Sequence, residues 1–218
     1  KAVKGIDLLM HPGVHGFLGP NGAGKTTTIN MLIGAISITK GKAFIKGKSA
    51  GSIKARKVIG FIPQNPKFDE NMTGESYLTY LGQMSGLKKK YSRRRAQELL
   101  YELDLWDARM RKIKNYSGGM KQKIGLASVL VRTPELLILD EPTANLDPIG
   151  REQIIETIKQ LSSNLSIFVS SHILSEIEQM CDTVTIINKG KIILSDKIER
   201  VKSLFRGDML ILNTDNNE

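Results

Sequence analysis

The stretch from Val14 to Thr26 constrains this chain more than any other. An apolar run, Val14–Leu18, enters the loop Gly19-Pro20-Asn21-Gly22-Ala23-Gly24-Lys25-Thr26, and a helical pattern follows at once. Glycines at those offsets let successive backbone N–H groups turn inward around an anion, and the following helix points its positive N-terminus at the same spot. Lys25 is then placed for the β- and γ-phosphates of a nucleotide and the Thr26 hydroxyl for Mg²⁺, with Thr27 the next residue of the site. A strand before the loop and a helix after it separate this spacing from a fortuitous glycine turn.

Beyond the loop, apolar strands alternate with amphipathic helices. The first helix is expected over Lys25–Ile36, with Ile29, Leu32, Ile33 and Ile36 on one face. Ala43–Lys46 and Val58–Ile62 read as strands. Thr73–Met84 and Ser92–Leu103 read as helices, the second capped by Ser92, with Ala96, Leu99, Leu100 and Leu103 inward. A helix after Ser117-Gly118-Gly119 runs to about Val131, and Leu136–Leu139 has the apolar continuity of a strand buried on both faces. Asp147-Pro148 opens another helix, with Asp as cap and Pro at the first helical position, and Ile154, Ile155, Ile158 and Leu161 inward. Ser166–Ser170 is a strand, Ile173–Cys181 a helix, and Thr183–Ile187 with Lys191–Leu194 a hairpin turning at Asn188-Lys189-Gly190. A short helix from Asp196 and a strand over Met209–Leu212 follow. Such alternation implies a mostly parallel sheet covered by helices, with ligands at the carboxyl ends of the strands.

Three further positions fall at those ends. Asp140, closing the Leu136–Leu139 strand, is placed to hold Mg²⁺ directly or through water, and Glu141 beside it to position and deprotonate an attacking water. His172 follows the Ser166–Ser170 strand, where a γ-phosphate contact is expected. Gln64, reached through Pro63, offers a neutral amide to Mg²⁺ or water. Ser117-Gly118-Gly119 opens a second helix with free N–H groups and a hydroxyl, a second anion-binding terminus without a lysine.

Composition bounds the remaining classes. The chain has 218 residues, one cysteine and a formal net charge of +10. Lone Cys181 excludes an internal disulfide, fits a reducing cytosolic setting and reads as a packing residue. No apolar run approaches the roughly 20 residues a membrane helix needs. The first residue is Lys1 rather than Met, so a short N-terminal piece is expected to precede it. Positive charge crowds between Lys88 and Lys123, against Glu98, Glu102, Asp104 and Asp107. Its aromatics, Tyr91, Tyr101 and Trp106, lack the repeated basic–aromatic interleaving of a nucleic-acid stacking platform. A solvated basic face is the expectation there, with proximity to anionic lipid headgroups as the alternative.

In their order these elements resemble the ATP-binding cassette of ABC transporters over nearly the whole chain. Gly19–Thr26 is similar to the Walker A loop, Gln64 to the Q-loop, Ser117-Gly118-Gly119-Met120 to the signature motif, and Asp140 and Glu141 to Walker B and its catalytic glutamate. Ala144-Asn145-Leu146-Asp147 is similar to the D-loop and His172 to the switch histidine. The resemblance implies an α/β fold: a P-loop NTPase core, a mostly parallel sheet flanked by helices, a small antiparallel β subdomain and a helical subdomain. It implies one domain over 1–218, with the helical part at about 73–123 and a C-terminal hairpin and tail at about 183–218.

It further implies Mg²⁺ and ATP as ligands, hydrolysis coupled to transport, and a head-to-tail homodimer or paired nucleotide-binding subunit. In that dimer Ser117–Met120 of one copy would close over ATP held by Lys25 and Thr26 of the other. An integral membrane subunit, contacted through Phe68 and Met72, is the implied partner, at the cytoplasmic face of the membrane and with no nucleic acid. Met120 replaces the family's usual Gln and Tyr116 its usual Leu, and Ser-Gly-Gly-Met forms look like those of bacterial exporters whose membrane subunit is a separate chain. The aromatic that the family places under adenine would fall just before Lys1. An ABC-type ATPase acting on nucleic acid or ribosomes is the alternative; a P-loop kinase would leave the signature helix unexplained.

Overall fold

The computed structural model describes residues 2–206; the strand expected at Met209–Leu212 lies outside them. Six strands form the main sheet: β1 (Val14–Leu18), β4 (Ile59–Ile62), β5 (Leu136–Asp140), β6 (Ser166–Ser171), β7 (Thr183–Asn188) and β8 (Lys191–Lys197). Their order is β4-β5-β6-β1-β7-β8, all parallel except the β7–β8 hairpin. That hairpin turns through Lys189 and Gly190, both at positive φ, as a tight turn matched to the strand twist requires. A two-stranded antiparallel sheet, β2 (Phe44–Ile45) with β3 (Lys48–Ser49), stands apart. This is the mostly parallel, helix-flanked architecture that the alternation implied.

The buried apolar residues fall into two groups. Leu137, Leu139, Ile167 and Val169 pack with α5 (Gly118–Leu130), α6 (Pro148–Ser162) and α7 (Leu174–Met180). Leu136, Ile138, Phe168 and Phe17 pack with Ile29 of α1 (Lys25–Ile33). The two-residue period of a strand sends alternate side chains to opposite faces. It therefore puts Asp140 on the same face as Ile138, toward α1 and Thr26. On the other face Gly16 of β1 leaves room for α7: a Cβ there would lie 2.8 Å from Ile177 Cγ2 and 3.0 Å from Cys181 Sγ. Cys181 is the packing residue expected of it; burial raises its thiol pKa well beyond the usual range.

Several boundaries differ from the pattern reading. Helix α1 stops at Ile33 because Gly34 adopts the left-handed conformation and caps it, so Ile36 is exposed. A short helix, α2 (Ile53–Val58), capped by Ser52, fills what read as turns before β4. In the helical layer, α3 (Gly74–Met84) begins at a Thr73–Ser76 capping box. Helix α4 spans Lys89–Glu102, so Ser92 is not its cap. Ser92 is buried where the helices meet, with Gly82 opposite, and its hydroxyl bonds back to the carbonyls of Leu87 and Lys88. Small size at a close helix approach explains the residue better than capping. Helix α8 (Ile198–Arg206) follows β8. No helix among the described residues is long and apolar enough to cross a membrane.

One of the buried polar residues in the sheet is a histidine. His15 on β1 bonds through Nδ1 to Thr183 Oγ1 at 2.8 Å and through Nε2 to Thr185 Oγ1 at 2.9 Å, and it stacks on Phe168. Burial, helped by nearby His11, lowers its pKa to about 4. The unfolded chain takes up this proton near pH 6.5 and the folded chain does so only near 4, so the stability is whole above pH 6.5 and falls as pH drops toward 4. Denaturant titrations should show about 2 kcal/mol less stability at pH 5 than at pH 7 from this group. His15→Asn should remove that component of the slope; an unchanged slope would rule it out.

Candidate functional site

Because β4, β5, β6 and β1 run parallel, their carboxyl ends lie on one edge of the sheet. Asp140 pairs in register with Ser170, Leu18 with Ser171, and Ile62 with Leu139. The residues leaving those strands are Gly19, Glu141 and His172, with Gln64 two positions past Ile62. Register alone thus brings the catalytic candidates together, although they lie up to about 150 residues apart in the chain.

The Gly19–Thr26 loop folds around its own lysine. Gly24 caps α1 at φ 111, a left-handed conformation that glycine adopts without steric cost. Lys25 is buried, and its Nζ donates to the carbonyls of Gly19 at 2.7 Å and Pro20 at 3.3 Å. It also pairs with Glu141 Oε1 at 3.0 Å. Pro20, Asn21 and Gly22 are exposed at the mouth of the loop, Ala23 is buried beneath it, and Thr27 lies half-buried in the first turn of α1.

Two carboxylates meet the loop from β5. The Thr26 hydroxyl donates to Asp140 Oδ2 at 2.9 Å, while Ser170 Oγ donates to Asp140 Oδ1 at 2.6 Å. Glu141 sits at φ 49, a strained conformation for a residue with a side chain, and its N–H is held by the backbone oxygen and hydroxyl of Ser170. Its side chain collects three donors: Lys25 on Oε1, and Gln64 Nε2 at 3.3 Å and His172 Nδ1 at 3.2 Å on Oε2. Lys25, Thr26, Gln64, Asp140, Glu141 and His172 therefore form one cluster.

Ser117–Met120 does not join it. Ser117 caps α5 by accepting from Met120 N–H at 3.3 Å, and no hydrogen bond among the described residues links this segment to the loop. Its glycines lie against the Leu146–Gly150 turn instead, Gly118 beside Leu146 and Gly119 beside Gly150. Met120 packs its side chain against the core. Asp147, from the neighbouring D-loop-like segment, caps α6 by accepting from Gly150 N–H.

The donors fit a magnesium ion carried in with a nucleotide. Thr26 and Asp140 place a hydroxyl and a carboxylate in contact, and the described residues hold no group of three or more His, Cys, Asp or Glu that would cage a metal. Mg²⁺ keeps waters and substrate phosphate oxygens in its shell, so one carboxylate and one hydroxyl suit it. Bound there, it would neutralise charge developing on the phosphates.

The sequence profile of the family described as ABC transporter matches residues 3–144. The chain belongs to the ABC transporter family. Among its relatives, the uncharacterized ABC transporter ATP-binding protein YxlF of Bacillus subtilis is 40% identical over 185 residues, covering 85% of this chain and 62% of that protein. The linearmycin resistance ATP-binding protein LnrL of Bacillus subtilis is 38% identical over 213 residues, covering 96% of this chain and 68% of that one. The solved structure of cbiO1 from Clostridium perfringens, part of the ABC transporter complex cbiONQ, superposes with a TM-score of 0.85 at 27% identity, over 97% of this chain and 89% of that one. The chain thus spans about six-tenths to two-thirds of these two curated relatives.

Sequence reasoning missed two buried residues that organise the cluster. Ser170 gave no signal, since a serine at a strand end is ordinary. Glu176 did give one: it falls on the apolar stripe of Ile173, Ile177 and Met180, where a carboxylate has to find partners. Ser170→Ala would leave a buried oxygen of Asp140 without its donor and should cost about 1–3 kcal/mol of stability. Urea unfolding of the variant measures this, and Mg-ATP titration should show weaker binding alongside it.

Proposed function

We propose that this chain is the ATP-binding and hydrolysing subunit of an ABC transporter, closing head-to-tail on a second copy to drive an integral membrane subunit at the cytoplasmic face of the membrane. The separation of two phosphate-binding termini carries the reading. One chain holds Lys25, Thr26, Asp140 and Glu141 in a single cluster, yet presents Ser117 and Gly118 exposed at the N-terminal end of α5, outside that cluster. A second copy supplies what that terminus faces, and Asp147, exposed next to it, lies at the same surface.

Within one subunit the sequence of events follows from the contacts. The γ-phosphate of ATP competes with Glu141 for Lys25, because a phosphate offers more charge and more acceptor oxygens than a carboxylate. Glu141, released from that ion pair but still beside Gln64 and His172, then accepts a proton from the attacking water. Thr26 and Asp140 would hold Mg²⁺, and His172 would meet the terminal phosphate. A resistance ATP-binding protein among the relatives and the Ser-Gly-Gly-Met signature support export over import.

A groove beside Phe68 and Met72 offers the membrane subunit a further place to dock. Phe68 packs edge-on against Tyr77, with ring centroids 6.0 Å apart, and lies over Gly125 of α5, so it is engaged within the chain. Met72 is half-buried at the start of α3. Beside them runs a groove of about 730 Å³ between the edge strand β4 and α3, lined by Ile33, Phe61, Tyr77, Leu81 and Met84 among others. Met84 is 70% exposed there. This groove, whose apolar side chains are joined by Arg56 and Arg132 at the edge of the sheet, is the candidate for the membrane-subunit contact.

The nucleic-acid alternative draws little support from the basic stretch. Arg93 and Arg109 converge on Glu75, Arg94 and Arg95 pair with Glu98, Lys121 pairs with Glu70 and Lys123 with Asp104. Arg109 also lies over the Trp106 ring. Six of the twelve basic residues between Lys88 and Lys123 thus have an acidic partner within the chain.

Glu141→Gln should accumulate an ATP-bound dimer while turnover falls by at least about a hundredfold. Size-exclusion chromatography at saturating Mg-ATP reads this out, and finding only monomers would count against the closing-dimer mechanism. Charge placed in the groove, as in Leu81→Asp with Met84→Asp, should abolish co-purification of the membrane subunit while leaving the chain's own ATP binding intact.

A further inference from the structure

Glu176 is the most fully enclosed carboxylate among the described residues whose role the proposed reaction leaves open: it is 2% exposed, in the first turn of α7. Its Oε2 accepts from Thr143 Oγ1 at 2.7 Å and from Ser171 Oγ at 2.9 Å. Its Oε1 faces Arg151 Nε at 3.4 Å, close enough for an ion pair but not aligned as a hydrogen bond.

Each partner belongs to a segment the reaction uses. Thr143 lies two residues past Glu141, in the turn closed by the Ala144 N–H to Glu141 carbonyl bond. Ser171 immediately precedes His172, and its hydroxyl also accepts from Ile173 N–H at 3.0 Å, so both sides of His172 are pinned through one oxygen. Arg151 lies in the first turn of α6, after Asp147, and its guanidinium reaches the Leu146 carbonyl at 3.4 Å. Two stretches far apart in sequence, Glu141–Arg151 and Ser171–Ile173, are thus joined at one buried carboxylate.

Resting on the ATPase reading above, we propose that Glu176 is a positioning residue for hydrolysis, holding the Glu141 turn and His172 in fixed relation to the Ala144–Asp147 segment that faces the opposing copy. It touches neither nucleotide nor water. It acts by removing freedom from the two residues that do. Glu141 has particular need of this, because its backbone is held at φ 49 and its carboxylate has to stay aligned after ATP takes Lys25 away. The Arg151 ion pair extends the same constraint to the dimer face, so closure of the two copies and alignment of Glu141 become one event.

The test is steady-state phosphate release by the full-length protein, with ATP binding measured separately. Glu176→Gln keeps the shape and a carbonyl acceptor but loses the charge that faces Arg151. It should lower kcat by about tenfold or more, with ATP affinity and KM within about twofold of wild type. A residue that only stabilised the fold would lower the melting temperature and leave kcat per folded molecule unchanged. A kcat within about twofold of wild type would overturn the proposal, as would a loss of ATP affinity matching the loss of rate.

Should Glu176→Gln fail to fold, Thr143→Val removes one hydroxyl from the same carboxylate and has to show the same loss confined to kcat. Wild-type kcat in that variant would also overturn it. Glu141→Gln in the same assay keeps the two questions apart. If the wild-type protein releases no phosphate, the ATPase reading itself fails; if turnover is lost in Glu141→Gln but retained in Glu176→Gln, only the role of Glu176 falls.

Discussion

The parallel pairing of β5, β6 and β1 is the constraint on which the rest of this molecule depends. It sets Asp140 opposite Ser170 and Leu18 opposite Ser171, so each strand releases its next residue at the same edge. Parallel strands require crossover connections, and here the crossovers are the helices that cover the sheet. One topological choice therefore buries both faces of the sheet and gathers the polar residues at a single rim. A shift of one residue in β5 would turn Asp140 away from α1 and break its contact with Thr26.

At that rim, charge is buried only where it is answered. Lys25, Asp140 and Glu141 are all nearly inaccessible, and each is met by an opposite charge, a hydroxyl or a backbone dipole. Buried ions without such partners are strongly destabilising. Lys25 and Glu141 pair at 3.0 Å, so the lysine of the loop and the acid after β5 offset each other's charge where neither meets water. The ion pairs on the helical layer are of another kind. Arg94 and Glu98 lie in solvent, where such a pair contributes little, and they serve to keep a strongly basic surface in balance.

Much of this was legible before any coordinates. The glycine loop, the Leu136–Asp140 strand, Glu141 and His172 each occupy the end of an apolar run, and strand–helix alternation supplies the parallel sheet that places strand ends together. Local signals failed where a residue answers to a distant neighbour. Ser92 reads as a helix cap, but Gly82 on the adjacent helix makes its small size the deciding property. Ile36 fits the stripe of α1, but Gly34 ends the helix first. Phe68 sits in a polar loop, yet it is half-buried, edge-on to Tyr77 and over Gly125 of α5.

By itself, then, the sequence determined the chemistry: an anion-binding loop with its lysine and hydroxyl, an acid pair at a strand end, and a second helix terminus with no lysine of its own. These depend on residues adjacent in the chain, where backbone geometry and side-chain type act within a few ångströms. Only the tertiary structure decided how those parts engage. That Glu141 pairs with Lys25, that Ser170 anchors Asp140, and that Glu176 joins Thr143, Ser171 and Arg151 are contacts between segments about 5 to 116 residues apart. Such pairings are set by strand register and by the room Gly16 leaves for α7, and no local pattern carries them.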